Sequence, residues 1–506
     1  MQALIAHQKQ FVLGHLPVRA RPEWECRQLT DRRVLSFCPK LRITSLRSKD
    51  GKDYYLLGLA VRADVPGSSI EEAFSSMHSS EIEEWTGFWA GKWALISAER
   101  CWQDAAGLLG LYHRETAGHV WISSSPAILG GYLPNVEPAA RLPWKIAHEK
   151  GMDWIPAPLT TRQNVYKLLA MRTIDPESGA IRPVRFAPAD SRPGNDPRVF
   201  ASAIKTLMGN WGRLDFRDRM VGLTAGFDTR SVLAAATAAN VNFQAFTDVH
   251  EVLARADREL PPQLAARVGV GHSFEYDPGL DLSDMRARHA AIIAHMDRAI
   301  FHPTAAMCAS GRADHMHDSG VTIAGGHGFE IGRCAQWARF FRAGFTEKAP
   351  TPGGLLRSFF ASRPKPLSLW TDAMAVWRQS LADPIPLDLD WRDRFYFEQR
   401  LGAWASTVQR TLDVLDGSFF YPANCLWVAH VLLQYSPQER REGLAQRSAI
   451  RLLAPSLAEF PFNPLPVAAR VKRQLAMGYL TVKRAVLLSR VPSPFKPGAT
   501  NETAPT

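Results

Sequence analysis

The sequence predicts an α/β protein with a mostly β first half, a parallel sheet in its middle and a helical last part. Three observations carry this prediction. Between residues 33 and about 132, short apolar runs are separated by Gly, Asp and Ser turns. From about residue 197, helical and strand-like segments alternate with short connections, which is typical of a parallel sheet. After about residue 370 the pattern is helical and rich in Trp, Phe and Arg.

The sequence predicts a β-sheet domain at residues 1–150. Its strand-like runs are RVLSFC, YYLLGLAV, KWALISA and HVWISSS, and one helix is predicted in SSIEEAFSSMH. The following residues are richer in proline and less periodic, so we assign 151–195 to an inter-domain connection. Within it, YKLLAMRTIDPESGAIRPVRF predicts two strands around a Pro-Glu-Ser-Gly turn.

The second domain is predicted at residues 196–475. Its elements follow in the order helix PRVFASAIKTLMGNWG, strand RMVGLT, helix TRSVLAAATAAN, strand VNFQAFT, helix RELPPQLAARVG and strands HSFEYD and GVTIAGG. Residues 476–506 are assigned to a basic helix and a tail rich in Pro, Ser and Thr, a composition typical of disorder.

Charge and composition limit the partners. The chain has 60 Lys and Arg against 49 Asp and Glu, and a net charge of +11 suits an anionic partner such as a nucleotide or an acidic peptide. No compact basic and aromatic motif indicates nucleic-acid binding, and no apolar run of about 20 residues indicates an integral membrane span. Six scattered cysteines without a Cys-x-x-Cys pair predict reduced thiols and a cytoplasmic location. The oligomeric state stays open.

The turn inside VGLTAGFDTRSVLAA (221–235) joins a predicted strand to a predicted helix. In parallel sheets, ligands bind where strands end and helices begin, and the first N–H groups of a helix favour an anion. Thr224 and Thr229 add hydroxyl donors, and Asp228 suits a phosphate if Mg²⁺ lies between them. The turn is neither a Walker A loop nor Gly-x-Gly-x-x-Gly. The alternative is an ordinary turn with Asp or Thr as the helix cap.

This turn resembles the Ser-Gly-Gly-x-Asp-Ser pyrophosphate loop of the asparagine synthetase-like ATP pyrophosphatases. Three further segments resemble that family in the same order. ADRELPPQLAARVGVGH carries the acid Asp257 or Glu259, IAGGHGFEIGR resembles Gly-x-Gly-x-Asp, and RSAIR (447–451) resembles Lys-x-x-Leu-Arg. The residues that match the loop are Thr224, Ala225, Gly226, Phe227, Asp228 and Thr229.

The resemblance implies an AMP-forming ligase that uses ATP and Mg²⁺ and forms a C–N bond. A carboxylate attacks the α-phosphate of ATP, and an amine then attacks the acyl carbon to give an amide. The six loop residues, with Gly326 and Gly328, would bind the pyrophosphate, and Asp228 and Glu330 would bind Mg²⁺. His327 would act as a base and Arg447 would stabilise negative charge. Alternatively, His327 is a buried histidine bonded to a backbone carbonyl, and Arg447 is a surface arginine on a helix.

The N-terminal half resembles the sandwich of Ntn-type glutamine amidotransferase domains in WTGFWAGKWALI and DAAGLLGLYHRETAGHVWISSSPAIL. Such a glutaminase needs a cysteine as its first mature residue. Here the sequence begins Met1-Gln2, the first cysteine is Cys26, and Ala90-Gly91 stands where the family often has Asn-Gly. We therefore expect this domain to be inactive towards glutamine.

The expected substrate is a small-molecule or peptide carboxylate that is joined to a free amine. β-Lactam synthetases and the macrolactam synthetases of lasso peptides are relatives of this kind, and the second subtype is preferred. It implies a precursor peptide and its processing protease as partners. Two alternatives stay open: a non-catalytic scaffold, favoured by the departures at Ala225, Glu330 and Arg447, and a glutamine-hydrolysing asparagine synthetase. A separate cluster in ADHMHDSG matches no common zinc spacing.

Overall fold

The computed structural model describes residues 6–144, 154–188, 195–249, 253–276, 295, 297, 318–335, 337, 349, 351–359 and 368–464. The predicted tail and most of ADHMHDSG lie outside these residues. The fold is mixed α/β, with two antiparallel sheets in the first half and a five-stranded parallel sheet in the second, as predicted. Over the residues described, no helix combines the length and the apolarity needed to cross a membrane.

The strands, in chain order, are β1 (Phe11–Gly14), β2 (Glu25–Thr30), β3 (Arg33–Phe37), β4 (Ile43–Arg47), β5 (Asp53–Arg62), β6 (Trp89–Ile96), β7 (Cys101–Gln103), β8 (Tyr112–Thr116), β9 (His119–Ser123), β10 (Tyr166–Lys167), β11 (Arg172–Ile174), β12 (Ile181–Pro183), β13 (Asp218–Gly222), β14 (Gln244–Val249), β15 (His272–Tyr276), β16 (Val321–Ala324) and β17 (Ser418–Phe420).

The α-helices are α1 (Ile70–Phe74), α2 (Ser79–Trp85), α3 (Pro126–Gly131), α4 (Pro197–Gly212), α5 (Phe227–Ala238), α6 (Arg255–Arg267), α7 (Pro352–Phe359), α8 (Ser368–Gln379), α9 (Trp391–Phe395), α10 (Ser406–Leu412), α11 (Leu426–Leu433), α12 (Pro437–Glu442) and α13 (Leu444–Leu453). A π-helical segment, Tyr396–Ala405, joins α9 to α10. Short 3₁₀ segments span Thr86–Phe88, Phe329–Arg333, Ser380–Ala382 and Pro455–Glu459.

The first half is a sandwich of two six-stranded sheets, ordered β10-β8-β9-β1-β3-β2 and β12-β11-β7-β6-β5-β4. Phe11 and Leu35 from the first sheet share one buried cluster with Leu57 and Ile96 from the second. Helices cover both outer faces: α1 and α2 pack on the second sheet and α3 on the first. The layers therefore follow the order helix, sheet, sheet, helix.

Residues 166–183 belong to this sandwich. β10 pairs with β8 at the edge of the first sheet, while β11 and β12 extend the second sheet as a hairpin. The turn of that hairpin is held by Asp175, whose side chain accepts from the N–H groups of Glu177 and Ser178. The segment that the sequence assigned to a connection thus contributes three short strands to the two sheets.

The second half is built on a parallel sheet ordered β15-β14-β13-β16-β17. Side chains alternate between its faces, so Val221 and Ala324 pack towards α4, α5 and α13, while Met220 and Ile323 pack on segment 412–415. The last strand, β17, lies in the part predicted to be helical. Three residues are too few to show the alternation by which a strand is recognised.

Polar contacts join the two halves. The side chain of Asn424, which is 1 % exposed, accepts from Ala106 N and donates to Gly91 O and to Asp104 Oδ1. Lys92 of β6 donates to Asp413 at 2.5 Å. Because these groups are buried, their bonds fix one orientation of the sandwich on the parallel-sheet half.

The buried His7 is expected to make the fold sensitive to acid. Burial, helped by Arg21, lowers the pKa of His7 from 6.5 to about 4. Between these pH values the unfolded chain binds the proton and the folded chain does not, so stability is lost as pH falls. At about 1.4 kcal/mol per pH unit, this group lowers the free energy of unfolding by up to about 3 kcal/mol between pH 6.5 and 4.

Urea unfolding followed by tryptophan fluorescence across this pH range measures the effect. His7→Asn removes the titrating ring and suits the left-handed backbone at this position, where φ is 59°. We expect the variant to show a shallower loss of stability with falling pH than the unaltered protein. The same change at the exposed His78 is the matched control. Equal slopes for His7→Asn and the unaltered protein would contradict the prediction.

Candidate functional site

The predicted site lies at the carboxyl edge of the parallel sheet. β13 and β16 are parallel neighbours, with Val221 opposite Ala324, so the loops that follow them meet at the same edge. A Cβ placed on Gly326 would lie 2.9 Å from the backbone carbon of Asp228 and from the nitrogen of Thr229. The fold therefore brings the loop at 224–229 into direct backbone contact with the segment at 326–330.

Gly326 permits this close approach because it has no side chain. We expect Gly326→Ala to push the two loops apart, at a cost in stability of about 1–3 kcal/mol, and to weaken the ATP binding predicted from the sequence by about tenfold or more. Calorimetric titration with ATP, together with urea unfolding, measures both effects. Gly271→Ala is the control, since a Cβ there would meet nothing within 4 Å. ATP affinity equal in both variants would show that the contact is dispensable.

The loop holds its own shape. The hydroxyl oxygens of Thr224 and Thr229 lie 3.0 Å apart, and Thr229 Oγ1 also accepts from the N–H of Thr224. Ala225 does not adopt the left-handed region, so its methyl group causes no backbone strain. Its N–H donates to Asp257 Oδ1 at 2.8 Å, whereas Glu259 pairs with the exposed Arg255. Of the two acids in this segment, only Asp257 contacts the loop.

The N-terminus of α5 has no cap from a described side chain. Its N-cap is Gly226, and neither Asp228 nor Thr229 accepts from the first N–H groups, so the expectation of Asp or Thr as the helix cap is wrong. Because α5 has twelve residues and its first N–H groups point out of the helix, this end carries partial positive charge. The arrangement suits an anion such as a phosphate group.

Asp228 and Glu330 form the acidic side of the site. Burial and the nearby Glu330 carboxylate raise the pKa of Asp228 to about 7, against the opposing effect of Arg333. Arg333 contacts both carboxylate oxygens of Asp228, with Nε 3.0 Å from Oδ1. Glu330 Oε2 accepts from Gly328 N at 2.9 Å and from the hydroxyl of Tyr396 at 2.5 Å. Glu330 is thus held in place and is not a free surface acid.

These two carboxylates fit a magnesium ion that is shared with a phosphate. The Glu330 carboxylate helps to raise the pKa of Asp228, so the two acids lie in the same region of the site. Among the described residues, no group of three or more His, Cys, Asp or Glu side chains is placed to hold a metal. Mg²⁺ commonly takes one or two protein carboxylates and completes its shell with phosphate oxygens and water.

Arg447 lies beside the loop. Its guanidinium carbon is 4.9 Å from the centre of the Phe227 ring and 5.2 Å from that of Phe462, and these two rings stack at 4.4 Å. Its Nε donates to Glu442 O, and its other guanidinium N–H groups have no hydrogen-bond partner among the described residues. Arg447 thus places a cation next to the uncapped helix end.

His327 follows β16 and is exposed, so the alternative of a buried histidine is wrong. Its ring meets the edge of Tyr421, with centres 5.3 Å apart. The neighbouring Gly328 has φ of +102°, and a Cβ there would lie 3.0 Å from Ala423. A tight glycine turn therefore presents the imidazole of His327 to solvent at the same edge of the sheet.

Arg230 is a residue of this site that sequence reasoning missed. It is fully buried and donates to four backbone oxygens, those of Ala225, Leu457, Phe460 and Pro461. The N–H of Asn463 also reaches Ala225 O. The loop is therefore fixed to a segment some 230 positions later in the chain. In the sequence Arg230 is only a polar residue in an Ala-rich helix, and nothing local identifies its partners.

Other predicted features lie elsewhere. Ala90 and Gly91 lie within β6, where Ala90 is fully buried and Gly91 has φ of +121°. Cys26 is exposed on the edge strand β2, and all five described cysteines are free. Asp318, the one described titratable residue of the ADHMHDSG cluster, pairs with Arg217. Two cavities of about 210 Å³ lie between the sandwich and the second half, away from the loop.

A scan against protein-family models finds no match for the chain. A search of curated proteins finds no match either. The relationship to the asparagine synthetase-like family therefore stays a prediction.

Proposed function

We propose that this protein is an ATP-dependent, AMP-forming amide synthetase of the asparagine synthetase-like kind. One observation carries the proposal. Asp228, Gly326, Glu330 and Arg447, which are spread over more than 200 positions, converge on an uncapped helix N-terminus at the carboxyl edge of a parallel sheet. Such a convergence of small residues, acids and cations is what a magnesium-bound triphosphate requires.

The residues have distinct roles in this proposal. The N–H groups at the start of α5 and the hydroxyls of Thr224 and Thr229 bind the pyrophosphate part of ATP. Asp228 and Glu330 would hold Mg²⁺, which would supply positive charge to the phosphate groups as the substrate carboxylate attacks. Arg447 stabilises the same charge, and His327 accepts the proton of the amine in the second step. The products are an amide, AMP and pyrophosphate.

Carboxylate-dependent exchange of labelled pyrophosphate into ATP tests the first step. The purified full chain is incubated with Mg²⁺, ATP and a panel of carboxylic acids and peptides. Exchange that requires both one class of acid and Mg²⁺ supports the proposal, and the acid that works identifies the substrate class. A chain that binds no ATP in the presence of Mg²⁺ is not such an enzyme.

The N-terminal sandwich is proposed to be an amidotransferase-like domain that does not supply ammonia. A sandwich of two sheets is the architecture that the resemblance implies, and Ala90 offers no side-chain amide for an oxyanion. The amine is therefore proposed to belong to the substrate, as in a ring-closing lactam synthesis from a peptide. Release of glutamate from glutamine by the purified protein would contradict this part.

A second candidate, a non-catalytic scaffold of the same fold, is favoured by the ion pair of Arg333 with Asp228. In that case the arginine permanently takes the place of the metal. Magnesium-dependent ATP binding separates the two proposals, because a scaffold in which Arg333 stays on Asp228 gains nothing from Mg²⁺.

A further inference from the structure

Arg333 neutralises the carboxylate that is proposed to hold Mg²⁺. The side chains of Arg333 and Asp228 are 25 % and 16 % exposed, so water screens the pair only in part. The contact has two points, Nε to Oδ1 and Nη2 to Oδ2, which is the geometry a planar guanidinium offers to a carboxylate. A divalent cation that approaches Asp228 alone is therefore repelled by a positive charge already in place.

The 3₁₀ segment that carries Arg333 is fixed by other bonds. Arg440 donates to Ile331 O through Nε at 3.0 Å and through Nη2 at 2.6 Å. Gln446 donates to Phe329 O at 2.9 Å. Because these bonds hold the backbone of the segment, the Arg333 side chain is not needed to support it.

The bond partners of Arg333 are also replaceable. A guanidinium pairs with phosphate oxygens as readily as with a carboxylate. The uncapped end of α5, where we place the phosphate groups, begins one residue before Asp228. A phosphate bound there lies within the same small region as the present partner of Arg333.

We infer that Arg333 is a transferable counter-ion: it neutralises Asp228 in the free protein, pairs with the phosphate groups of a bound nucleotide, and leaves Asp228 to the divalent cation when the cation binds. The inference rests on the proposed function. It makes metal binding and nucleotide binding cooperative. A bound nucleotide draws Arg333 away from Asp228 and frees that carboxylate for the metal. A bound metal in turn frees Arg333 for the phosphate groups. The ligand class is a nucleoside polyphosphate with a divalent cation.

Two separate titrations of Arg333→Gln test this role. The first measures Mn²⁺ binding without nucleotide from the electron paramagnetic resonance signal of free Mn²⁺. The second measures ATP binding by calorimetry in the presence of EDTA, without any divalent cation. We expect Mn²⁺ to bind about tenfold more tightly to the variant, because the competing charge is gone. We expect metal-free ATP to bind about tenfold more weakly, because a phosphate partner is lost and Asp228 is unneutralised.

Opposite changes separate this role from simple support of the fold, which would weaken both interactions. Arg441→Gln, at an exposed position on the neighbouring α12, is the matched control and should alter neither titration. Unchanged or weaker Mn²⁺ binding in Arg333→Gln overturns the counter-ion role. Unchanged ATP binding overturns the transfer to phosphate. If the unaltered protein binds ATP yet exchanges no pyrophosphate with any acid, the proposed function fails while these titrations still decide the role of Arg333.

Discussion

Asp228→Asn is expected to lower acid-dependent pyrophosphate exchange by on the order of a hundredfold or more, and to abolish the gain in ATP affinity that Mg²⁺ provides. The change keeps the size of the side chain and removes its charge. A neutral amide is a poor ligand for a hard cation that prefers carboxylate oxygens. Exchange assays and ATP titrations with and without Mg²⁺ measure both effects.

Loss of the carboxylate also leaves Arg333 without its ion-pair partner, so the variant needs a control for stability. The double variant Asp228→Asn with Arg333→Gln removes both charges together and is expected to unfold at nearly the same urea concentration as the unaltered protein. It should still lack the effect of Mg²⁺. Asp257→Asn is the matched control, because an amide oxygen can still accept from Ala225 N. Activity in Asp228→Asn equal to that of Asp257→Asn would refute the metal role of Asp228.

Arg230→Met is expected to lower the free energy of unfolding by about 3 kcal/mol and to weaken ATP binding at the same time. The guanidinium satisfies four buried or partly buried carbonyl groups, and methionine satisfies none of them. Part of this loss is offset, because burial lowers the pKa of Arg230 to about 10, a sign that the charge itself is costly in this place.

Urea unfolding measures the stability change, and the ATP titration reports on the loop that Arg230 holds. Arg230→Lys keeps a charge but offers fewer donors in a less suitable arrangement, so an intermediate result is expected. Arg198→Met makes the same replacement at an exposed position of α4 and is the matched control. A stability change in Arg230→Met no larger than that of Arg198→Met would show that the four carbonyl groups find other partners.

Much of the fold could be predicted because its elements have local signals. α4 is expected from its amphipathic pattern and matches the predicted bounds, with Asp196 as a capping residue. α5 follows from its alanines. β10 and β17 are harder to predict from the sequence, because strands of two or three residues are defined by their neighbours in the sheet and not by their own periodicity.

The residues of the candidate site fall into two groups. The loop, Gly326 and Glu330 carry a recognisable order of small and acidic residues, and the structure brings them together. Arg333 and Tyr396 carry no such signal, since a basic or aromatic residue is unremarkable in its local sequence and acquires a role only through a partner far away in the chain. Asp257 could not be separated from Glu259 for the same reason.

The position of β17 has a consequence for how the chain is made. This strand closes the edge of the parallel sheet beside β16 and packs on β5 and β6 of the sandwich. Roughly 100 residues of chain separate β16 from β17, and a ribosome takes several seconds or more to make them at about 5–20 residues per second. During that time β16 lacks the strand that covers this edge in the finished fold, and an unpaired strand edge is prone to pair with other chains.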